Sequence, residues 1–106
     1  MWIRTQYDKF IEMTGKRMKK EKSMYDEEQP YNIYVYSLDR NEESELIAEY
    51  KTEYECDLVL EIFQQALLTG VPIFSFERKV TTELIKKYAE KYDADLSELD
   101  LELDLE

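Results

Sequence analysis

The chain has no histidine, one cysteine, two glycines and two prolines in 106 residues. Without histidine there is no Ser-His or Cys-His nucleophile pair, no histidine-bearing zinc site and none of the commonest acid–base side chain. The lone Cys56 excludes an internal disulfide and fits a reducing cytoplasm. No run approaches the ~20 apolar residues of a membrane span, and no secretory leader is read at Met1-Trp2-Ile3, which Arg4 follows at once. There is no internal repeat and no flexible linker, so the length is that of one ordinary domain. With 43% hydrophobic and 37% charged residues, the chain is too apolar for a disordered segment and too charged for a membrane protein.

Basic charge is also scarce, with 14 Lys and Arg against 25 Asp and Glu and a net charge of −11. What basic charge there is gathers at the start. Residues 1–24 hold seven basic and three acidic side chains, a net charge of +4, which leaves −15 on residues 25–106. Such a surface repels nucleic acid and anionic membrane and attracts basic protein surfaces, above all those that hold nucleic acid.

The clearest element is a helix read from Thr52 to Gly70. Thr52-x-x-Glu55 is a capping-box pattern. Cys56, Val59, Leu60, Phe63, Ala66 and Leu67 then recur at three-and-four spacing, one buried stripe. Gly70 supplies a left-handed cap and Pro72 prevents continuation. Cys56 falls on the stripe and reads as a small core residue rather than a reactive or metal-binding thiol.

Before the helix the chain reads as strands. Met1–Thr5 is a short strand with Trp2 turned inward. Tyr7–Met24 has two readings: strands near Lys9–Met13 and Lys16–Met24 turned at Gly15, or one amphipathic helix. The lysines of Lys16–Lys22 suit a solvated sheet edge that resists aggregation better than they suit a nucleic-acid patch. Tyr25–Tyr31 is a loop. Asn32–Leu38 is the plainest strand, with Tyr34, Tyr36 and Leu38 on one face and Ile33 and Val35 on the other. Asp39–Ser44 is a hairpin loop and Glu45–Lys51 the return strand, with Leu46, Ala48 and Tyr50 on one face.

Val71–Glu77 reads as a last strand. Thr81 or Thr82 then caps a second helix with Leu84, Ile85, Tyr88, Ala89 and Tyr92 inward and Lys86, Lys87 and Lys91 outward. The predicted fold is α+β: a small antiparallel meander covered on one face by the central helix, with a C-terminal helix, over residues 1–92. Residues 93–106 form an acidic amphipathic tail, with seven carboxylates and no basic side chain. Asp93, Asp95 and Ser97 have the one-three-five spacing of a calcium loop and Asp104 falls twelfth, but Glu98 stands where the sharp turn needs glycine. Leu99–Glu106 alternates leucine with carboxylate, as a strand with one apolar face would. Its predicted place is the edge at Lys16–Lys22, in its own chain or a neighbouring copy.

The candidate partner-binding residues are acids and tyrosines. Glu53, Asp57 and Glu61 recur every four residues on the outer face of the central helix, and Glu49 extends the row from the strand. They rise ~6 Å apart, against a charge every ~3.4 Å along a DNA strand. The plainer reading is a solvated face near a helix N-terminus, where the dipole favours acids. Tyr34 and Tyr36 are half-buried sheet residues or part of an interface, where tyrosine is enriched.

Met1-Trp2-Ile3-Arg4-Thr5-Gln6, the Asp8-Lys9 pair and Ile47-Ala48-Glu49-Tyr50 leading into a Thr52-capped helix resemble a family of small, largely uncharacterised proteins of Gram-positive bacteria, their phages and mobile elements. Its members begin Met-Trp-Ile-Arg-Ser/Thr-Gln-Asp. The resemblance covers about residues 1–77; Tyr7 interrupts the usual Gln-Asp, and Ala48 replaces a common glycine. It implies a fold and a mobile-element setting, not a reaction.

Together these observations point to a non-catalytic, cytoplasmic binding protein with no cofactor and no metal. It would dock on the basic surface of a host nucleic-acid-binding protein as a nucleic-acid mimic, for example as an anti-CRISPR-like inhibitor of a defence nuclease. Neither direct nucleic-acid binding nor a membrane is expected; a homodimer is compatible. The alternative is an accessory module that oligomerises through a sheet edge or the tail. An enzyme using paired carboxylates is the remaining reading.

Overall fold

The computed structural model describes residues 1–38 and 43–92. Six strands and two helices follow in order: β1 (Trp2–Arg4), β2 (Phe10–Glu12), β3 (Lys16–Lys22), β4 (Tyr31–Ser37), β5 (Glu45–Tyr50), α1 (Glu53–Leu68), β6 (Ile73–Ser75) and α2 (Arg78–Tyr92). The fold is α+β, and Tyr7–Met24 forms strands rather than a helix. The tip of the β4–β5 loop and the acidic tail, with its calcium-like spacing and alternating strand, lie outside the described residues.

The antiparallel meander is β3-β4-β5. It does not include the first strands, as a single meander would require. They form a second sheet, β2-β1-β6, in which β1 pairs antiparallel with β2 and parallel with β6. The chain turns between the sheets at Gly15, whose φ of +74° favours a residue without Cβ. The parallel pair is closed by Trp2 N–H to Pro72 C=O at 2.8 Å and Phe76 N–H to Arg4 C=O at 2.7 Å.

Each three-residue strand of this second sheet has room for one inward side chain. Ile11, Ile3 and Phe74 lie opposite one another and are buried. Trp2 is therefore displaced outward, 47% exposed, against the expectation that it turned in.

In the meander Ile33 and Val35 are buried, as their alternation predicts. On β5 the alternation breaks. Ile33 faces Ala48 but Tyr34 faces Leu46, so Ile47 is an extra residue in the ladder. This bulge lets both Ile47 and Ala48 turn into the core while Leu46 is only half-buried, and Leu46, Ala48 and Tyr50 do not share one face.

Helix α1 starts as its sequence directs. The Thr52 hydroxyl accepts from the Glu55 N–H at 3.1 Å. It ends with Gly70 at φ +77° and Val71 N–H bonded to Ala66 C=O at 3.1 Å. Cys56, Val59 and Phe63 are buried, Leu60 and Ala66 partly so, while Leu67 is 52% exposed rather than in the stripe. Burial extends instead to Glu55 and Leu58, because α1 packs against α2 as well as the meander. Phe63, Phe74 and Phe76 join α1 to β6 with ring centroids 5.0–5.6 Å apart.

Helix α2 begins at Arg78, before the threonines expected to cap it. Thr81 and Thr82 are buried inside the first turns. Their hydroxyls donate back to the carbonyls of Glu77 and Arg78, so they satisfy the helix from within instead of accepting at its start. Ile85 and Ala89 are buried, with Leu84 and Tyr88 half-buried beside them.

Candidate protein-binding surface

The predicted site residues separate into two groups. Glu53, Asp57 and Glu61 are all exposed on one side of α1, as their spacing requires. Glu53 and Asp57 share a cation from within the chain. Lys20 Nζ donates to Glu53 Oε2 at 2.9 Å and to Asp57 Oδ1 at 2.6 Å. Lys20 lies opposite Ile33, so its side chain leaves the α1-facing side of the meander and meets the start of the helix. Its hydrogen bonds to Asp57 and Glu53 raise its pKa, so it stays charged at any physiological pH. The upper row is thus part of an ion-paired cluster rather than a bare line of carboxylates, while Glu61 lies a further turn along.

Glu49, Tyr34 and Tyr36 belong to the other side of the meander. Tyr34 and Tyr36 alternate with the buried Ile33 and Val35 and so face away from α1. Lys19 lies over both rings, 5.8 and 5.7 Å from their centroids, a cation–π pairing with the neighbouring strand. The β1–β2 turn clamps Glu49. Its N–H donates to Gln6 Oε1 at 2.8 Å, and its carboxylate accepts from the Tyr7 hydroxyl. Burial and that carboxylate together raise the Tyr7 pKa. The helix row and the tyrosine pair are therefore not one continuous surface, because the meander lies between them.

Three features escaped the sequence. The first is the outer face of β2-β1-β6, where Trp2, Phe10 and Ile73 are each about half exposed; strands of three residues carry too little periodicity to reveal it. The second is the Lys20 bridge, which depends on a register between residues more than thirty apart. The third is a groove of about 570 Å³ between β3 and the C-terminal half of α1. Met13, Met18, Leu38, Leu60, Phe63 and Leu67 give it an apolar lining, and the β3 edge from Lys16 to Lys20 bounds it, with the Lys19 side chain turned to the tyrosine face. The apolar spacing of α1 pointed to Leu60 and Leu67, but as core rather than as the wall of a groove.

Cys56 is buried beneath the acidic cluster. Burial, with Asp57 nearby, pushes its thiol up to about 12, which keeps it protonated and unreactive at neutral pH. Among the described residues, no group of three or more Cys, Asp or Glu side chains is gathered as a metal site, and no helix is long and apolar enough to cross a membrane. No protein-family model, curated protein or solved structure matches the chain.

Proposed function

We propose that the chain is a non-catalytic binding protein that docks through the acidic side of α1 on a basic, nucleic-acid-binding surface of another protein. In the mobile-element setting that its opening residues resemble, this is the role of a nucleic-acid mimic that inhibits a host defence nuclease. The observation that carries the reading is the exposure of Glu53, Asp57 and Glu61 along one side of a helix held at both ends by its caps. A rigid row at ~6 Å intervals presents charge without the entropy cost of ordering a loop. The net charge of −11 adds long-range attraction to any basic partner.

The test is capture of basic proteins from a bacterial lysate on the immobilised chain, at rising NaCl and with duplex DNA as competitor. Capture should fall with both, and the triple variant Glu53→Lys, Asp57→Lys, Glu61→Lys should associate more slowly at unchanged fold. Capture indifferent to salt, DNA and charge reversal overturns the reading.

A second reading is an accessory domain that self-associates through the outer face of β2-β1-β6. Half-exposed Trp2, Phe10 and Ile73 favour it. Under that reading the single tryptophan is shielded from acrylamide at high protein concentration and quenched on dilution; equal quenching at both concentrations removes it.

A further inference from the structure

We propose that the groove between β3 and the C-terminal half of α1 binds one molecule of a free fatty acid, with the alkyl chain along the groove and the carboxylate at Lys16. Glu53, Asp57 and Glu61 do not line this groove, and the inference does not depend on the function proposed above.

The first argument is shape. At about 570 Å³ the groove is of the size of small-molecule sites, which are concave and mainly apolar. It is elongated: β3 bounds it from Lys16 to Lys20, about 13 Å of strand, and Leu60 to Leu67 flank it over about 10 Å of α1. Met13, Gly15 and Leu38 lie together at one end, where Leu38 N–H donates to Gly15 C=O at 3.1 Å. Phe63 is buried, but Leu38 and Leu67 are 59% and 52% exposed, so the apolar wall is open to water. A slot of this length suits an unbranched chain, and the flexible thioether side chains of Met13 and Met18 adapt to its outline.

The second argument is charge. The chain has 25 acidic side chains, yet among the described residues none that lines the groove is acidic. Met18 lies opposite Val35 and Lys20 opposite Ile33, both buried under α1, so by alternation Lys16 leaves β3 on the groove side as well. Arg17 and Lys19 alternate onto the tyrosine face, where Lys19 pairs with Glu21 at 2.9 Å. The two groove-side lysines that flank Met18 differ. Lys20 is held by Glu53 and Asp57 near the start of α1, whereas Lys16 stands at the Leu38 end. Lys16 has a contact of its own within the chain, and the three donors of an ammonium serve a ligand carboxylate beside it. An ammonium against an apolar wall attracts an anion more strongly than one surrounded by water. The amide of exposed Gln64, which also lines the groove, is a further donor.

The third argument is what the groove rejects. A second copy laid edge to edge on β3 would set its lysines and arginine against those of the first, and like charges on facing strands are destabilising. A cationic amphipath is drawn to the molecule at large by the net charge of −11, but meets only lysines as charged groups on the groove side of β3. The groove thus reverses, over one short stretch, the preference that the whole chain has for cations.

Titration of the full chain with monomeric dodecanoate, decanoate and dodecyltrimethylammonium tests this, followed by calorimetry and by the methionine methyl resonances. Dodecanoate should bind one to one and shift the Met13 and Met18 methyls, while that of Met24, 89% exposed in the β3–β4 loop, stays in place as the internal control. Decanoate should bind several-fold more weakly, since each buried methylene is worth about fourfold in affinity. Dodecyltrimethylammonium should bind at least tenfold more weakly than dodecanoate. Leu67→Asp, at a half-exposed position, should weaken dodecanoate at least tenfold, and Lys16→Glu should abolish the preference for the anion while the dependence on chain length remains. Tighter binding of the cation, equal shifts at Met18 and Met24, no binding, or affinity unchanged in Leu67→Asp overturns the proposal. Binding to phosphatidylglycerol vesicles without binding of monomeric dodecanoate overturns it in favour of a membrane surface.

Discussion

Nη1 of Arg78, the first residue of α2, lies 3.8 Å from Oε2 of Glu55, in the first turn of α1. Glu55 is 1% exposed, and Arg78 covers it while also donating to Gln29 Oε1 and the Glu49 carbonyl and lying 6.0 Å from the Tyr50 ring centroid. The two helices and the end of β5 thus meet on one guanidinium. Removing it takes a cation away from a buried carboxylate, so Arg78→Ala should cost on the order of 3 kcal/mol. Adding Glu55→Gln to that variant should recover part of the loss, since the buried charge that lost this cation is gone. Urea midpoints measure both; an Arg78→Ala midpoint equal to that of the natural chain refutes the linkage.

Phe63 touches Phe74 and Phe76 at the centre of the core, whereas its neighbour Gln64 is exposed. Phe63→Ala should lose roughly 3–5 kcal/mol, and Gln64→Ala should be nearly neutral. Matching denaturation midpoints for the two would contradict the packing of α1.

Lys20 offers a separate handle on the acidic row. Its two ion pairs are exposed, so Lys20→Met should cost less than about 1 kcal/mol of stability. It uncovers Glu53 and Asp57 and should tighten binding of a polycation such as polylysine at low salt, an advantage that shrinks as salt rises. Unchanged affinity at low ionic strength would mean that the row does not contribute to the attraction.

The buried Cys56 thiol gives a pH dependence of known sign. Its pKa is raised from 9.0 to about 12, so the folded state holds the proton more tightly than the unfolded state. The stability this contributes is fully present below pH 9 and is lost as pH rises from there towards 12. Burial raises Tyr50 as well, which acts in the same direction. Thermal midpoints should therefore fall across this alkaline range, and Cys56→Ala should flatten part of the fall. In the folded chain at pH 8, iodoacetamide should modify Cys56 far more slowly than in urea.

The elements that local chemistry can specify were legible in the residues. Thr52, the three-and-four apolar spacing and Gly70 determine α1 and both its ends, since capping and helical periodicity act within a few turns. The alternation of Asn32–Leu38 and the turn at Gly15 likewise mark β4 and the approach to β3, and the lysines of β3 mark an edge. The exposure of Glu53, Asp57 and Glu61 follows from spacing alone. Tertiary structure decided what depends on distant partners. β1 chose β6, some seventy residues away, over the meander, and that pairing gave Ile3 rather than Trp2 the inward position. The extra residue Ile47 shifted the face of β5, and no local preference marks a bulge of this kind. Glu55 reads as a capping acid but is buried because Arg78 arrives from the next helix, and Lys20 reaches the acidic row only because β3 runs beside α1. Hydrogen-bond caps and apolar periods are encoded within a few residues. Sheet partners and the neutralisation of one charge by another are settled only when segments far apart in the chain compete for the same space.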